Sequence, residues 1–312
     1  MLSRSKALAL LAGATALAPR ALRAQAPVPL RVGTVLADSY AEPYYALDQG
    51  FFERAGFAAE VIPFANGAAM AAAAAGGSLD IGVADAVEIA NGVSRGVPFQ
   101  LIAGAGLYTS SAATTALCVL KDSPIAHASE LEGQTVALIS LVSMTTAGVK
   151  SWLTQNGADV AKIHFIELPY PQMLPALTRG TIAAATLGEP LLSAATSGAA
   201  RVFGKVFDAI GTEFLISDWF STRDWLGKNR IAAKRAVQVI YETARWANTH
   251  HDESAVILAK YSKIDVDRIR QMNRCVYATN LQVGMVQPVL DAAFKYQALK
   301  SATSASSLIA KI

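Results

Sequence analysis

Short apolar runs alternate with amphipathic stretches along most of the chain. Leu30-Arg31-Val32-Gly33-Thr34-Val35 partly alternates between apolar and polar positions and reads as a first strand. A loop of small and aromatic residues follows (37–45). Residues 43–54 then read as a helix, with Pro43 suited to its first turn and Gly56 as its stop. Residues 59–64 predict a second strand. Asn66 is placed to N-cap an alanine-rich helix over 67–75, which Gly76-Gly77 ends. Ile81-Gly82-Val83-Ala84 predicts a short buried strand, 87–95 a helix and 99–103 a further strand.

This order, with its short loops, predicts an α/β protein with a mostly parallel sheet covered on both faces. Ligands bind such sheets beyond the carboxyl ends of the strands, so the loops 37–44, 65–68 and 84–86 are expected to meet. A second α/β set begins near Ala116. Its strands are expected over 117–120, 135–139, 163–168 and 182–187. Its helices are expected over 144–156, capped by Ser143, and 172–179, stopped by Gly180. The extended apolar segment 214–222 reads as the return to the first set. From 228 onward the pattern is helical, over 231–249, 252–260, 265–273 and 286–299.

Hydrophobic residues make up 53% of the 312, and charged residues 16%, which excludes a disordered chain. The apolar run 7–18 is too short to span a bilayer. Arg4 and Lys6 precede it, and Ala24-Gln25-Ala26 follows it as a small-x-small site. Together they read as a secretory signal peptide over 1–26, of the general export type and without a lipid anchor, so the mature protein is expected in the periplasm with no direct membrane insertion. Its removal takes away four basic residues and brings the net charge from +3 to −1, which leaves no electrostatic case for nucleic acid or anionic lipid as a partner. Two cysteines exclude a disulfide scaffold. Cys118 and Cys275 could pair in an oxidising compartment, although they fall in apolar segments of different predicted lobes or faces.

Four stretches resemble one family in register. Tyr44-Tyr45-Ala46-Leu47-Asp48-Gln49-Gly50-Phe51-Phe52-Glu53-Arg54-Ala55-Gly56-Phe57 resembles the opening of periplasmic solute-binding proteins of the nitrate/sulfonate/taurine and thiamine-pyrimidine-precursor group. Gly77-Ser78-Leu79-Asp80-Ile81-Gly82, then Lys121-Asp122-Ser123 with Leu131-Glu132-Gly133, and then Leu177-Thr178-Arg179-Gly180 with Glu189-Pro190, resemble its later motifs. The resemblance covers roughly 30–205. It implies a two-lobed periplasmic binding protein of type II, each lobe a mostly parallel sheet flanked by helices, joined by two crossover strands. It implies one lobe from 27–112 and 215–312 and the other from 113–214. It further implies a monomer that delivers a small-molecule solute to an ABC permease with its ATPase, without a cofactor. Two departures stand out. Ala183 replaces a frequent Asp, and the loop 140–146 lacks the glycine usual before the oxyanion-binding helix, which points away from a small anion.

The candidate ligand-binding residues lie at strand ends. Ser143, Met144, Thr145 and Thr146 sit at an expected helix N-terminus, where free N–H groups and the helix dipole favour a carboxylate or sulfonate. Ser143 could instead only cap its helix. Ser39, Tyr40 and Tyr44 lie in the first loop, Tyr108 in the outgoing crossover and Trp219 in the return; their rings could flank a planar ligand or pack the hinge and core. Asn66, Asp85 and Glu189 follow strand ends. The two acids could bind an amine, amidine or hydroxyl, or serve as a helix cap and a hinge contact. Few Lys or Arg fall in these loops, so a neutral or zwitterionic solute fits best. His250-His251 point about 100° apart on a helix and cannot chelate side by side, so no metal is expected, and Asp252 is the expected N-cap there. No nucleophile elbow, zinc-protease, phosphate-loop or dinucleotide motif is present. The alternatives to a transport receptor are a ligand-sensing module for a signalling partner and, more remotely, an enzyme like the thiamine-pyrimidine synthases.

Overall fold

The computed structural model describes residues 26–312; the leader read over 1–26 lies, except for Ala26, outside the described residues. The strands are β1 (Val28–Val35), β2 (Phe57–Phe64), β3 (Ile81–Ala84), β4 (Phe99–Gly104), β5 (Gly106–Thr109), β6 (Thr115–Leu120), β7 (Thr135–Leu138), β8 (His164–Glu167), β9 (Ala184–Gly188), β10 (Ala200–Gly204), β11 (Glu213–Leu215), β12 (Asp218–Thr222) and β13 (Val276–Tyr277). The helices of the first half are α1 (Glu42–Asp48), α2 (Phe51–Arg54), α3 (Gly67–Ala75), α4 (Ala86–Ser94), α5 (Met144–Gln155), α6 (Tyr170–Thr178) and α7 (Leu191–Thr196). Those of the second half are α8 (Arg223–Lys228), α9 (Arg230–Ala247), α10 (His251–Ser262), α11 (Val266–Gln271), α12 (Val283–Lys295) and α13 (Ala305–Leu308).

Two five-stranded sheets organise two lobes. The first has the order β2-β1-β3-β12-β4 and the second β10-β6-β9-β7-β8. Read from its outer end, β8-β7-β9-β6-β10 repeats the plan of the first. A central parallel trio is followed by one antiparallel strand, β12 or β6, and then a fifth strand on its far side. The crossovers pass through a small hinge sheet, β11-β5-β13, that the hydrophobic pattern does not reveal because each of its strands is very short.

β3 is buried at all four positions, as a central strand covered on both faces must be. Its Gly82, and Gly33 on β1, permit α3 to lie directly on the sheet. A Cβ at Gly82 would stand 2.5 Å from the Met70 sulfur, and one at Gly33 would stand 2.6 Å from Leu79. The single helix expected over 43–54 is two, because Gly50 takes φ 68° between α1 and α2. His250, not Asp252, precedes α10; its ring stacks on Trp246, and Asp252 sits in the first turn. Both cysteines are free thiols and buried. Among the described residues no helix is long and apolar enough to cross a membrane.

Candidate functional site

The carboxyl ends of β1, β3 and β9 and the N-termini of α3, α4 and α5 face one another along the seam between the lobes. Asp85, the residue after β3, stands at the centre. Its Oδ1 accepts from the N–H groups of Val87 (2.9 Å) and Glu88 (3.0 Å), capping α4. Its Oδ2 accepts from the N–H of Met144 at 3.1 Å, across the seam at the head of α5. One carboxylate thus caps two helices in two lobes. Glu88 completes a capping box on the Asp85 N–H. It also lies so close over the start of α3 that a Cβ on Gly67 would fall 1.8 Å from its Oε2.

Other bonds cross the same seam. Asn66 caps α3 through Ala69 and donates to the Ile139 carbonyl at 3.3 Å. Asn91 donates to the Val142 carbonyl at 3.3 Å, and the Asp38 N–H donates to the Glu189 carbonyl at 2.8 Å. The lobes are therefore shut on each other. Tyr40 lies within Coulomb reach of Asp85, Glu88, Asp218 and Tyr170, and burial drives its phenol pKa up. Ser39 accepts from the Ser217 hydroxyl at the hinge.

Burial dominates the electrostatics. It pushes the Asp85 and Glu88 carboxyls upward, against the helix N–H groups that hold them down. Glu189 is pushed up to about 7 by burial, although Ser193 donates to it through its N–H (3.0 Å) and hydroxyl (2.8 Å). Asp218, the first residue of β12, is fully buried with neither oxygen hydrogen-bonded, and burial raises it well above the usual carboxylate range. Among the described residues, every ion pair involves some other acid. One of those pairs is buried at the hinge: Asp38 meets the Arg274 Nε at 3.3 Å and the Cys275 N–H at 2.6 Å, tying the first loop to β13.

Several expected site residues have other work. Ser143 does not cap α5; its hydroxyl donates to the Ser140 carbonyl, as does that of Thr146, so the cap comes from Asp85 instead. Thr145 is buried at the same helix head. Tyr44 is in α1, not a loop, and stacks on Tyr261 with centroids 4.0 Å apart. Tyr108 packs between Phe207 and Phe214 and donates to Asp208 at 2.6 Å. Trp219 faces the core of the first lobe, where its Nε1 donates to Glu42 at 2.7 Å. Thus Tyr44, Tyr108 and Trp219 are packing residues here, whereas Tyr40, Asn66, Asp85, Met144 and Glu189 meet at the seam. Glu88, Asn91, Tyr170 and Asp218, which the sequence pattern does not single out, lie at or beside the same seam. The available signal for Asp218 was an acid inside the apolar run Leu215-Ile216-Ser217-Asp218-Trp219-Phe220.

Comparison with known proteins agrees with this architecture. No curated protein matches the chain. The aliphatic sulphonate-binding protein SsuA of Escherichia coli superposes with a TM-score of 0.71 at 19% identity, over 91% of this chain and 97% of that one. The nitrate-binding protein NrtA of Synechocystis PCC 6803 gives 0.75 at 15% identity, over 90% and 84%. The desulfurization enzyme DszB gives 0.63 at 13%, over 91% and 96%, so this fold also carries an enzyme. At such identities the likeness speaks to the fold alone. The profile of the NMT1-like family, however, matches residues 23–261, most of the sequence, and the chain belongs to that family.

Proposed function

We propose that this protein is an exported solute receptor that encloses a small organic molecule between its lobes and passes it to an ABC permease and its ATPase without altering it. The lobes of this reading are 27–112 with 215–312, and 113–214, and the leader over 1–26 directs export to the periplasm. The protein acts as a monomer. The observation that carries the reading is the seam itself. Three helix N-termini and the strand ends of both lobes converge there, and hydrogen bonds from Asn66, Asn91 and Asp85 cross it. Such a seam opens to admit solute, and solute contacts then favour closure.

A thermal-shift screen of the secreted form over sulfonates, aromatic acids, pyrimidines, amines and nitrate tests this. A solute at 100 times its dissociation constant adds about 2.7 kcal/mol to stability. The expected result is a stabilising solute recovered unchanged after prolonged incubation. Conversion of that solute to a product refutes the reading.

A further inference from the structure

Asp218 is the one acid of the seam that the protein leaves wholly without donors. Asp85 takes three backbone N–H groups, Glu189 is held by Ser193, and one oxygen of Glu42 is held by Trp219. Asp218 has none on either oxygen, and it is 0% exposed. It stands at the carboxyl edge of the first sheet, its Cα paired with Ala84 of β3 and Gly104 of β4. Strand alternation places it on the face shared with Ala84 and Phe220. That is the face on which α3 packs, and its head meets α4 and α5 beside Asp85. Buried carboxylates are almost always satisfied, so an orphan at the mouth of three helices marks a place where a donor is expected from outside.

The opposite demand is partly met within the protein. An anion entering this seam would seek the N–H groups at the head of α5, and the Met144 N–H is given to Asp85. Glu88 likewise lies over the start of α3. The protein supplies acids of its own at the heads of these helices and leaves the Asp218 carboxyl over, without a partner.

Building on the receptor reading, we infer that the solute is an organic cation or protonated base, such as an alkylammonium, an amidinium or a protonated amino-heterocycle, whose N–H donors bind the Asp218 carboxylate. Among the described residues no group of three acids, histidines or cysteines has the spacing to hold a metal ion, so the positive charge is carried by an organic group.

Isothermal titration calorimetry of the full secreted chain tests this with butylammonium, benzamidine and 4-aminopyridine, against taurine, nitrate and magnesium. At least one of the three cations is expected to bind. Asp218→Asn is expected to weaken it by about 10- to 100-fold, the effect of losing a charged hydrogen-bond partner. The same variant leaves the melting temperature of the ligand-free protein unchanged or higher, because it removes an unsatisfied buried acid. A purely structural Asp218 would do the reverse, lowering the melting temperature and leaving affinity intact. Binding by none of the cations overturns the inference, as does binding by magnesium in their place. Binding of taurine or nitrate alone overturns it while leaving the receptor reading standing. Consumption of a bound cation, followed by NMR, overturns the receptor reading instead.

Discussion

Replacing Asp85 by Asn separates its two duties. Asn caps helices as well as Asp, so the Val87 and Glu88 N–H groups keep an acceptor and α4 keeps its start. The second oxygen becomes an amide donor facing the Met144 N–H, which then loses its only partner across the seam. An orphaned buried N–H costs about 1–3 kcal/mol while the lobes are shut and almost nothing once water reaches it. At about 2 kcal/mol, the ratio of shut to open molecules falls roughly 30-fold. Asp85→Ala removes the cap too and costs about 1 kcal/mol more, which for a chain of this size lowers the melting temperature by a further ~1.5–2 °C. X-ray scattering of the two variants beside the wild type reads the opening, and calorimetry reads the cap. The expected pattern is a larger radius of gyration in both variants and a clear melting deficit in Asp85→Ala. An Asn variant as compact as the wild type, or two variants with equal melting temperatures, would refute the assignment of two duties to one carboxylate.

Two further outcomes test the buried charges. Glu189 binds its proton more tightly in the folded chain than in the unfolded one. Its contribution to stability is therefore complete below the ordinary carboxyl range and is lost as pH rises toward about 7. The loss amounts to at most about 3 kcal/mol. Urea midpoints near pH 5 and pH 8 measure it; Glu189→Gln should make the fall shallower, the rest of it coming from Asp85, also raised to about 7, and stability that climbs over this interval would contradict the sign. Arg274→Ala strands Asp38 as an unpaired buried acid, since their side chains are 9% and 0% exposed. About 3–5 kcal/mol should be lost by chemical denaturation, and a loss below about 1 kcal/mol would mean that the Cys275 N–H and the Tyr45 hydroxyl, which donates to Asp38 at 3.2 Å, suffice for that acid.

The parts of this fold that depend on near neighbours were legible before any coordinates. The Asn66 and Asp85 caps, the glycine stops and the buried β3 each follow from a few adjacent residues. The break at Gly50 was hidden because the apolar pattern runs straight through it. Ser143 failed as a cap for a different reason: its rival is Asp85, 59 residues before the Met144 N–H that it takes, and no local rule ranks a distant carboxylate over an adjacent hydroxyl. The partners of Tyr44 and Trp219 are distant in the same manner: Tyr44 stacks on Tyr261, and Trp219 donates to Glu42. Asp218 was visible only as an anomaly, a charge in an apolar strand, and its meaning emerged once its surroundings proved empty of donors.

The place of β12 between β3 and β4 has a consequence for how the chain assembles. The second sheet draws all five strands from one uninterrupted stretch, β6 to β10, and can be completed as soon as that stretch is available. The first sheet cannot: β3 and β4 remain apart, with open hydrogen-bonding edges, until the whole middle segment has been made and β12 slides in antiparallel between them. The half that begins the polypeptide is thus the last to be finished, and its gap is closed by contacts of high sequence separation, the slow kind. A newly made chain would stay unfinished at its front end for as long as its middle is still emerging.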